Sequence, residues 1–209
     1  MEQEKLTTKE RILSEALTLF SVKGFEAVSV AQIAEAVGIK APSLYKHFNS
    51  KQDIFEAIIT EMSVRYKNQA ATLHINGEEA GADIGLYSNI SDDKLIEIGK
   101  GLFLYFLRDE YTRKFRKMLT IEQYNNTELA ALYVKQYVDE PLAYQSGVFE
   151  LLIQAGVLKS ENPRVMALHF YSPTFLMLAL CDGHPEREPE ALQMIEENIR
   201  QFIKIYGNK

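Results

Sequence analysis

The chain has 209 residues, 46% hydrophobic and 25% charged, the make-up of a globular protein large enough to bury a core without covalent staples. Its single cysteine, Cys181, excludes an intrachain disulfide and points to a reducing compartment, the cytoplasm. The start, MEQEKLTTKE, lacks the apolar stretch of a signal peptide. The longest apolar run, Phe175 to Cys181, falls far short of the ~18 residues a membrane span needs, so no membrane association is expected.

In chain order, Thr7 and Glu10 fit a capping box, and Ile12, Leu13, Ala16, Leu17 and Phe20 recur at helical steps, so a first helix is expected up to Gly24. Ser29 and Gln32 open a second, with Ile33, Ala34 and Val37 inward and Gly38 as its stop. A third short helix starts at Ala41-Pro42, where a first-turn proline costs nothing, and carries residues through His47. Asn49-Ser50 with Asp53 begins a fourth, burying Ile54, Phe55, Ile58, Ile59 and Met62. Periodicity then fades, and Ile75 to Asn89 reads as a loop or linker. Ser91-Asp92-Asp93 caps the next helix, with Leu95, Ile98, Leu102, Phe103 and Phe106. A basic helix follows near Tyr111 to Gln123, and a long stretch runs from Thr127 to Ala155. Asn162-Pro163 opens another helix to about Leu180, and Glu188 to Tyr206 is the last. An all-α chain of about nine helices is predicted.

Charge is distributed unevenly. Residues 1–66 carry 8 Lys+Arg against 9 Asp+Glu, and residues 67–209 carry 15 against 20. Yet Ala36 to Gln52 holds three lysines, one histidine and no acid. Positive charge focused on a small segment of an otherwise acidic chain favours a small, oriented contact with nucleic acid over broad electrostatic adhesion; taken alone, the charges are equally compatible with a chance gap between acids. That segment is two short helices, Val30–Val37 and Ala41–His47, joined by the tight turn Gly38-Ile39-Lys40, the layout of a helix-turn-helix. A seven-residue helix is ~10 Å long and fits end-on into a major groove ~12 Å wide.

The stretch from Gly24 to Phe55, GFEAVSVAQIAEAVGIKAPSLYKHFNSKQDIF, resembles the DNA-binding segment of the TetR family of bacterial repressors. The match lies in Gly24-Phe25, Ser29, Ile33-Ala34, Gly38, Leu44-Tyr45, His47-Phe48 and Lys51. The resemblance implies that Ser29 and Lys51 sit at helix N-termini and meet phosphate, where free N–H groups favour an anion. It implies phosphate contacts from Tyr45 and His47, and base or flanking contacts from Lys40, Ala41, Pro42, Ser43 and Lys46. Ala31 stands where some members carry a base-reading arginine.

The same resemblance implies a helix-turn-helix DNA-binding domain over residues 1–50, a connecting helix over 51–73, and a helical effector-binding and dimerisation domain within 51–209. A repressor is implied that sits as a homodimer on a palindromic double-stranded operator and is released by a small molecule. Val165 to Leu180 is apolar nearly all round, consistent with burial on two sides; Ile195, Ile199, Phe202, Ile203 and Tyr206 give the last helix a matching stripe. Pro141 and Pro173 would free the carbonyls of Tyr137 and His169 and bend their helices. Phe103, Phe106, Tyr124, Tyr137, Phe170, Tyr171 and Met177 are candidates to line the space this opens, with Glu140 and His169 as polar anchors for an apolar or aromatic effector.

Two rival readings are weaker. An enzyme would need Cys181 with His169, which twelve residues of helix set about 120° apart; no phosphate loop, metal-ligand spacing or nucleophile elbow appears. No cofactor or metal is expected. The other rival is a helical small-molecule-binding or interaction protein without DNA binding.

Overall fold

A computed structural model describes residues 6–208; the acidic start, residues 1–5, and Lys209 lie outside the described residues. Within them the chain is all-α, without strands. Its helices are α1 (Thr8–Lys23), α2 (Val30–Val37), α3 (Ala41–Leu44), α4 (Lys51–Thr72), α5 (Ala80–Tyr87), α6 (Asp92–Arg108) and α7 (Glu110–Glu122). There follow α8 (Thr127–Val134), a π turn (Lys135–Asp139), α9 (Glu140–Gln154), α10 (Pro163–Gly183) and α11 (Glu188–Tyr206). Because α8, the π turn and α9 form one unbroken stretch, the predicted long helix is present, and α5 is the addition to the predicted set.

Local chemistry sets the helix starts as expected. Thr7 N–H donates to the Glu10 carboxylate (2.7 Å), and Glu10 N–H donates to Thr7 Oγ1 (3.3 Å). Ser29 and Gln32 close the same box on α2 (2.8 and 3.3 Å). On α4, Asp53 N–H donates to Ser50 Oγ (3.0 Å) and Asn49 N–H donates to the Asp53 carboxylate (3.1 Å). Hydrogen bonds from Ser50, then Asn49, hold the Asp53 carboxyl below its ordinary range.

Compactness divides the chain differently from a boundary at residue 50. One unit holds the described residues up to Tyr66 together with Glu110–Tyr133; the other holds Lys67–Asp109 and Val134 onward. In the first, α1 buries Ile12, Leu13, Ala16, Leu17 and Phe20 in a core shared with Ile33, Leu44, Ile54, Ile58, Phe115 and Met118. Phe25 bridges Phe20 and Phe55, with ring centroids 5.1 and 5.0 Å away.

The second unit has its own core. Ile96 and Phe103 of α6 pack with Leu178 and Cys181 of α10 and with Ala191, Ile195 and Ile199 of α11. Val148, Phe149 and Leu152 of α9 meet Met166, Ala167 and Phe202 in a second cluster, tied by close contacts between the rings of Phe149, Phe170 and Phe202. By length and composition α10 is apolar enough to cross a membrane (21 residues, mean hydropathy 1.3), which a search for one unbroken apolar run misses because His169, Ser172 and Pro173 interrupt it. In the fold it packs on α6, α9 and α11.

Two expectations are corrected. The predicted loop at Ile75–Asn89 contains α5. Its buried Asp83 accepts the N–H groups of Asn76 (2.7 Å) and Gly77 (2.9 Å) and the Tyr144 hydroxyl (2.5 Å). Gly81 and Gly85 lower the helix propensity of this segment, and tertiary contacts with α9 override it. The second correction concerns the third helix, predicted to His47. Its α-helical part ends at Leu44, and Lys46 and His47 donate back to Ser43 (3.3 Å) and Leu44 (2.8 Å) in tighter i→i+3 turns.

Prolines act as their chemistry dictates. The Tyr137 carbonyl, which Pro141 cannot serve, accepts the Tyr171 hydroxyl at 2.8 Å, and the helix absorbs the missing N–H through the π turn. α10 continues as helix through Pro173.

Candidate nucleic-acid interface

Gly38 adopts the left-handed conformation (φ 76°, ψ 32°), which an L side chain resists. Its N–H and that of Ile39 return to α2 carbonyls, so the chain reverses in three residues. Lys40 then precedes α3 with extended backbone, and Pro42 occupies its first turn. Leu44 and Phe48 face inward and are buried. The Arg11 guanidinium donates to the Val37 carbonyl, fastening α1 to the end of α2.

What remains outside is the set the sequence singled out. Lys40, Pro42, Tyr45, Lys46 and His47 are exposed, and Ala41 and Ser43 are half-buried. Tyr45 leaves 52% of its surface in solvent, a poor site for an aromatic whose only task is packing. Residues 40–47 hold no acid. A short segment that exposes Lys40, Tyr45, Lys46 and His47, all positive or hydrogen-bonding, can hold phosphates and probe base edges. Ser29 is exposed at the α2 N-terminus, its hydroxyl engaged with Gln32.

Lys51 has a task that sequence reasoning missed. It is the first residue of α4, as expected, but its ammonium turns inward. It donates to the carbonyls of Phe25 (2.8 Å) and Glu26 (3.3 Å) and lies 4.3 Å from the Phe25 ring centroid. Its side chain is 23% exposed. Lys51 therefore bolts the α1–α2 turn to the start of α4. No spacing in the sequence announces this, because the partners are backbone carbonyls 25 and 26 residues away.

A second unheralded group is Glu122, buried at the end of α7. Its Oε1 accepts the Phe25 N–H at 2.7 Å. Gly24 beside it has φ 83°, and a side chain there would run into this same oxygen. So the glycine-aromatic pair of the motif is seated on a carboxylate from 97 residues downstream.

The effector candidates fall into several places. Phe103 is fully buried, with Phe106, Phe170 and Met177 packed against its cluster. Tyr137 is joined to Tyr171. Tyr124 stands 84% exposed in the first unit. Glu140 is exposed and pairs with Lys135 (3.7 Å). His169 is exposed, its Nδ1 2.6 Å from the Tyr206 hydroxyl. Within the second unit the structure thus gathers Phe103, Phe106, Phe170 and Met177 in one cluster and joins Tyr137 to Tyr171, while Glu140 and His169 are exposed with partners of their own. As for a thiol enzyme, Cys181 is buried among apolar residues, and burial pushes its thiol pKa up, away from the reactive thiolate.

Residues 12–58 match the family model described as bacterial regulatory proteins, tetR family. The chain is 23% identical to the probable HTH-type transcriptional regulator YttP of Bacillus subtilis, over 97% of this chain and 89% of that one. It is 30% identical to IcaR of Staphylococcus aureus, a negative transcriptional regulator of the biofilm operon icaADBC, over about half of each (51%). Among solved structures, the triclosan complex of SmeT, the repressor of the Stenotrophomonas maltophilia multidrug efflux pump SmeDEF, superposes with a TM-score of 0.71. That likeness covers 97% of this chain and 92% of SmeT at 16% identity. The family model thus lies over α1, the glycine turn and the start of α4, and the helical architecture along nearly the whole length is similar to that of SmeT.

Proposed function

We propose that this protein is a sequence-specific transcriptional repressor that binds a palindromic operator as a homodimer in the cytoplasm and is released by a small, apolar or aromatic molecule. One observation carries the DNA-binding part: an exposed, acid-free edge from Lys40 to His47, mounted on buried Leu44 and Phe48 and aimed by a left-handed glycine turn. Tyr45, His47 and Ser29 supply phosphate contacts. Lys40, Ser43 and Lys46 reach base edges or flanking phosphates, and Ala41 and Pro42 offer apolar contact to thymine methyls. Lys51 contributes by fixing the turn that presents Ser29.

Dimerisation rests on a different surface. Val165, Leu168 and Leu176 of α10 recur at helical spacing and are exposed, as are Met194 and Ile205 of α11. Single exposed apolar residues are ordinary, but such a stripe fits a partner helix pair. A second copy of the chain would cover it and set two reading heads on one duplex face.

The test is selection from random double-stranded DNA with the full chain, alongside its mass in solution. Enrichment of an inverted repeat by a dimer is expected. Recovery of no common sequence, or of a single half-site by a monomer, would overturn the proposal.

A further inference from the structure

One polar atom of the second unit is left unanswered by its own fold. On α9, Val148, Phe149 and Leu152 are buried. At ~100° per residue Gln145 shares their face, within about 60° of each. Its neighbour Tyr144 finds an acceptor in Asp83. Gln145 finds no such partner: its carbonyl oxygen Oε1 is sealed from solvent and receives no hydrogen bond from any described residue. Burying an acceptor without a donor costs free energy that an apolar side chain of the same size would not.

The π turn just before α9, which takes up the N–H that Pro141 lacks, borders the same stretch. Here it carries the buried Tyr137, whose carbonyl is held by Tyr171, and the Tyr171 ring lies 6.2 Å from that of Phe175. From Tyr137 to Gln145 is eight residues, about 12 Å along a helix axis. The charged groups of this helix offer nothing inward, since Glu140 pairs with Lys135 and Glu150 is exposed.

We propose that Gln145 is the polar anchor of the effector site and that the effector is a neutral aromatic molecule with a free hydroxyl, whose O–H donates to Oε1. The unanswered oxygen asks for a donor, and the buried carboxylate that meets this helix, Asp83, is already taken by Asn76, Gly77 and Tyr144. The inference rests on reading the chain as an effector-released regulator, and it names the chemistry that does the releasing.

The test compares 2-naphthol with 2-methoxynaphthalene, which differ in the donor alone, by calorimetry on the full chain and its Gln145→Leu variant. In the wild type, 2-naphthol binds at least tenfold more tightly. In Gln145→Leu the two bind within about threefold of each other, and the unliganded variant melts no lower than wild type. Equal binding of both compounds to wild type, binding of neither, or discrimination that survives in Gln145→Leu would each overturn the assignment. So would a variant melting several degrees lower, since the amide would then be serving the fold. Operator release separates the two readings: hydroxyl discrimination lost in Gln145→Leu supports the anchor even if DNA stays bound, and in that case repressor release is what fails.

Discussion

Replacing Lys51 by methionine keeps the apolar stem and removes the ammonium. The structure says what is lost: two charge-assisted bonds to the Phe25 and Glu26 carbonyls, a position over the Phe25 ring, and a 3.9 Å pairing with the exposed Glu26 carboxylate. Hydrogen bonds to a charged group contribute roughly 1.5–3 kcal/mol. A partly exposed cation–π contact adds about 0.5–1 kcal/mol, and a long surface ion pair close to nothing. Glu26 is exposed, so its carbonyl regains water, and the net loss should be about 2 kcal/mol. Urea unfolding reads that directly as a lower midpoint at unchanged slope. Operator binding across a salt series reads the other half. A lysine neutralising one phosphate contributes about 0.9 to the slope of log K against log salt, so Lys46→Ala should flatten the slope by that amount if Lys46 meets phosphate. Lys51→Met should weaken binding at every salt concentration with little change of slope. A slope lowered by a full unit with an unaltered urea midpoint would refute the reasoning, because Lys51 would then be a phosphate ligand and no bolt.

Other perturbations follow from single contacts. Gly24→Ala forces a side chain onto a backbone at φ 83°, ψ 159°, a region nearly reserved for glycine at about 1–3 kcal/mol, and also displaces Glu122 from the Phe25 N–H; a loss of about 3 kcal/mol in urea unfolding is expected, with operator affinity reduced. Asp83→Asn turns one acceptor toward the Asn76 and Gly77 amides into a donor, and should cost about 2 kcal/mol with faster hydrogen exchange at those two amides; protection equal to wild type would contradict this. Burial, then Tyr87 and Asp83, raises the Tyr144 phenol above its ordinary value of 10.0. A raised value in the folded state means its contribution is complete below pH 10 and lost as pH climbs beyond, so Tyr144→Phe should flatten the alkaline limb of the stability curve; an unchanged limb would count against it.

What the sequence shows and what it hides divide along a physical line. The reading head is built from contacts within a few residues of each other: Thr7 with Glu10, Ser29 with Gln32, Gly38 with α2, Leu44 with Phe48. Spacing alone records such contacts, and they were legible. α5 was not, because Gly81 and Gly85 offset the helix-forming Ala80, Ala82 and Leu86 until Asp83 meets two amides and Tyr144, 61 residues on. The inward turn of Lys51 was equally invisible, since a backbone carbonyl leaves no trace in residue identity. Pro141 is the instructive intermediate. The carbonyl it orphans can be named from the sequence, while the hydroxyl that claims it, Tyr171, requires the fold.

The position of α7 carries the last consequence. Half-buried Lys114 donates to Thr18 of α1 (2.7 Å), Glu122 accepts from Phe25, and Asn126 reaches the Glu26 carboxylate (3.3 Å). All three belong to the compact unit of the reading head though they lie 96 to 100 residues beyond their partners in the chain. The backbone between Gly24 and Glu26 is therefore gripped from two sides, by the Lys51 ammonium at its carbonyls and by the Glu122 carboxylate at its N–H. This turn leads directly into Ser29 and α2. Moving α7 against α1 would have to break the buried Glu122 bond, leaving a charge and an N–H unpaired, or drag the turn along with it. Since a buried charge stripped of its donor is the costlier outcome, the turn follows α7, and the aim of α2 and α3 follows the turn.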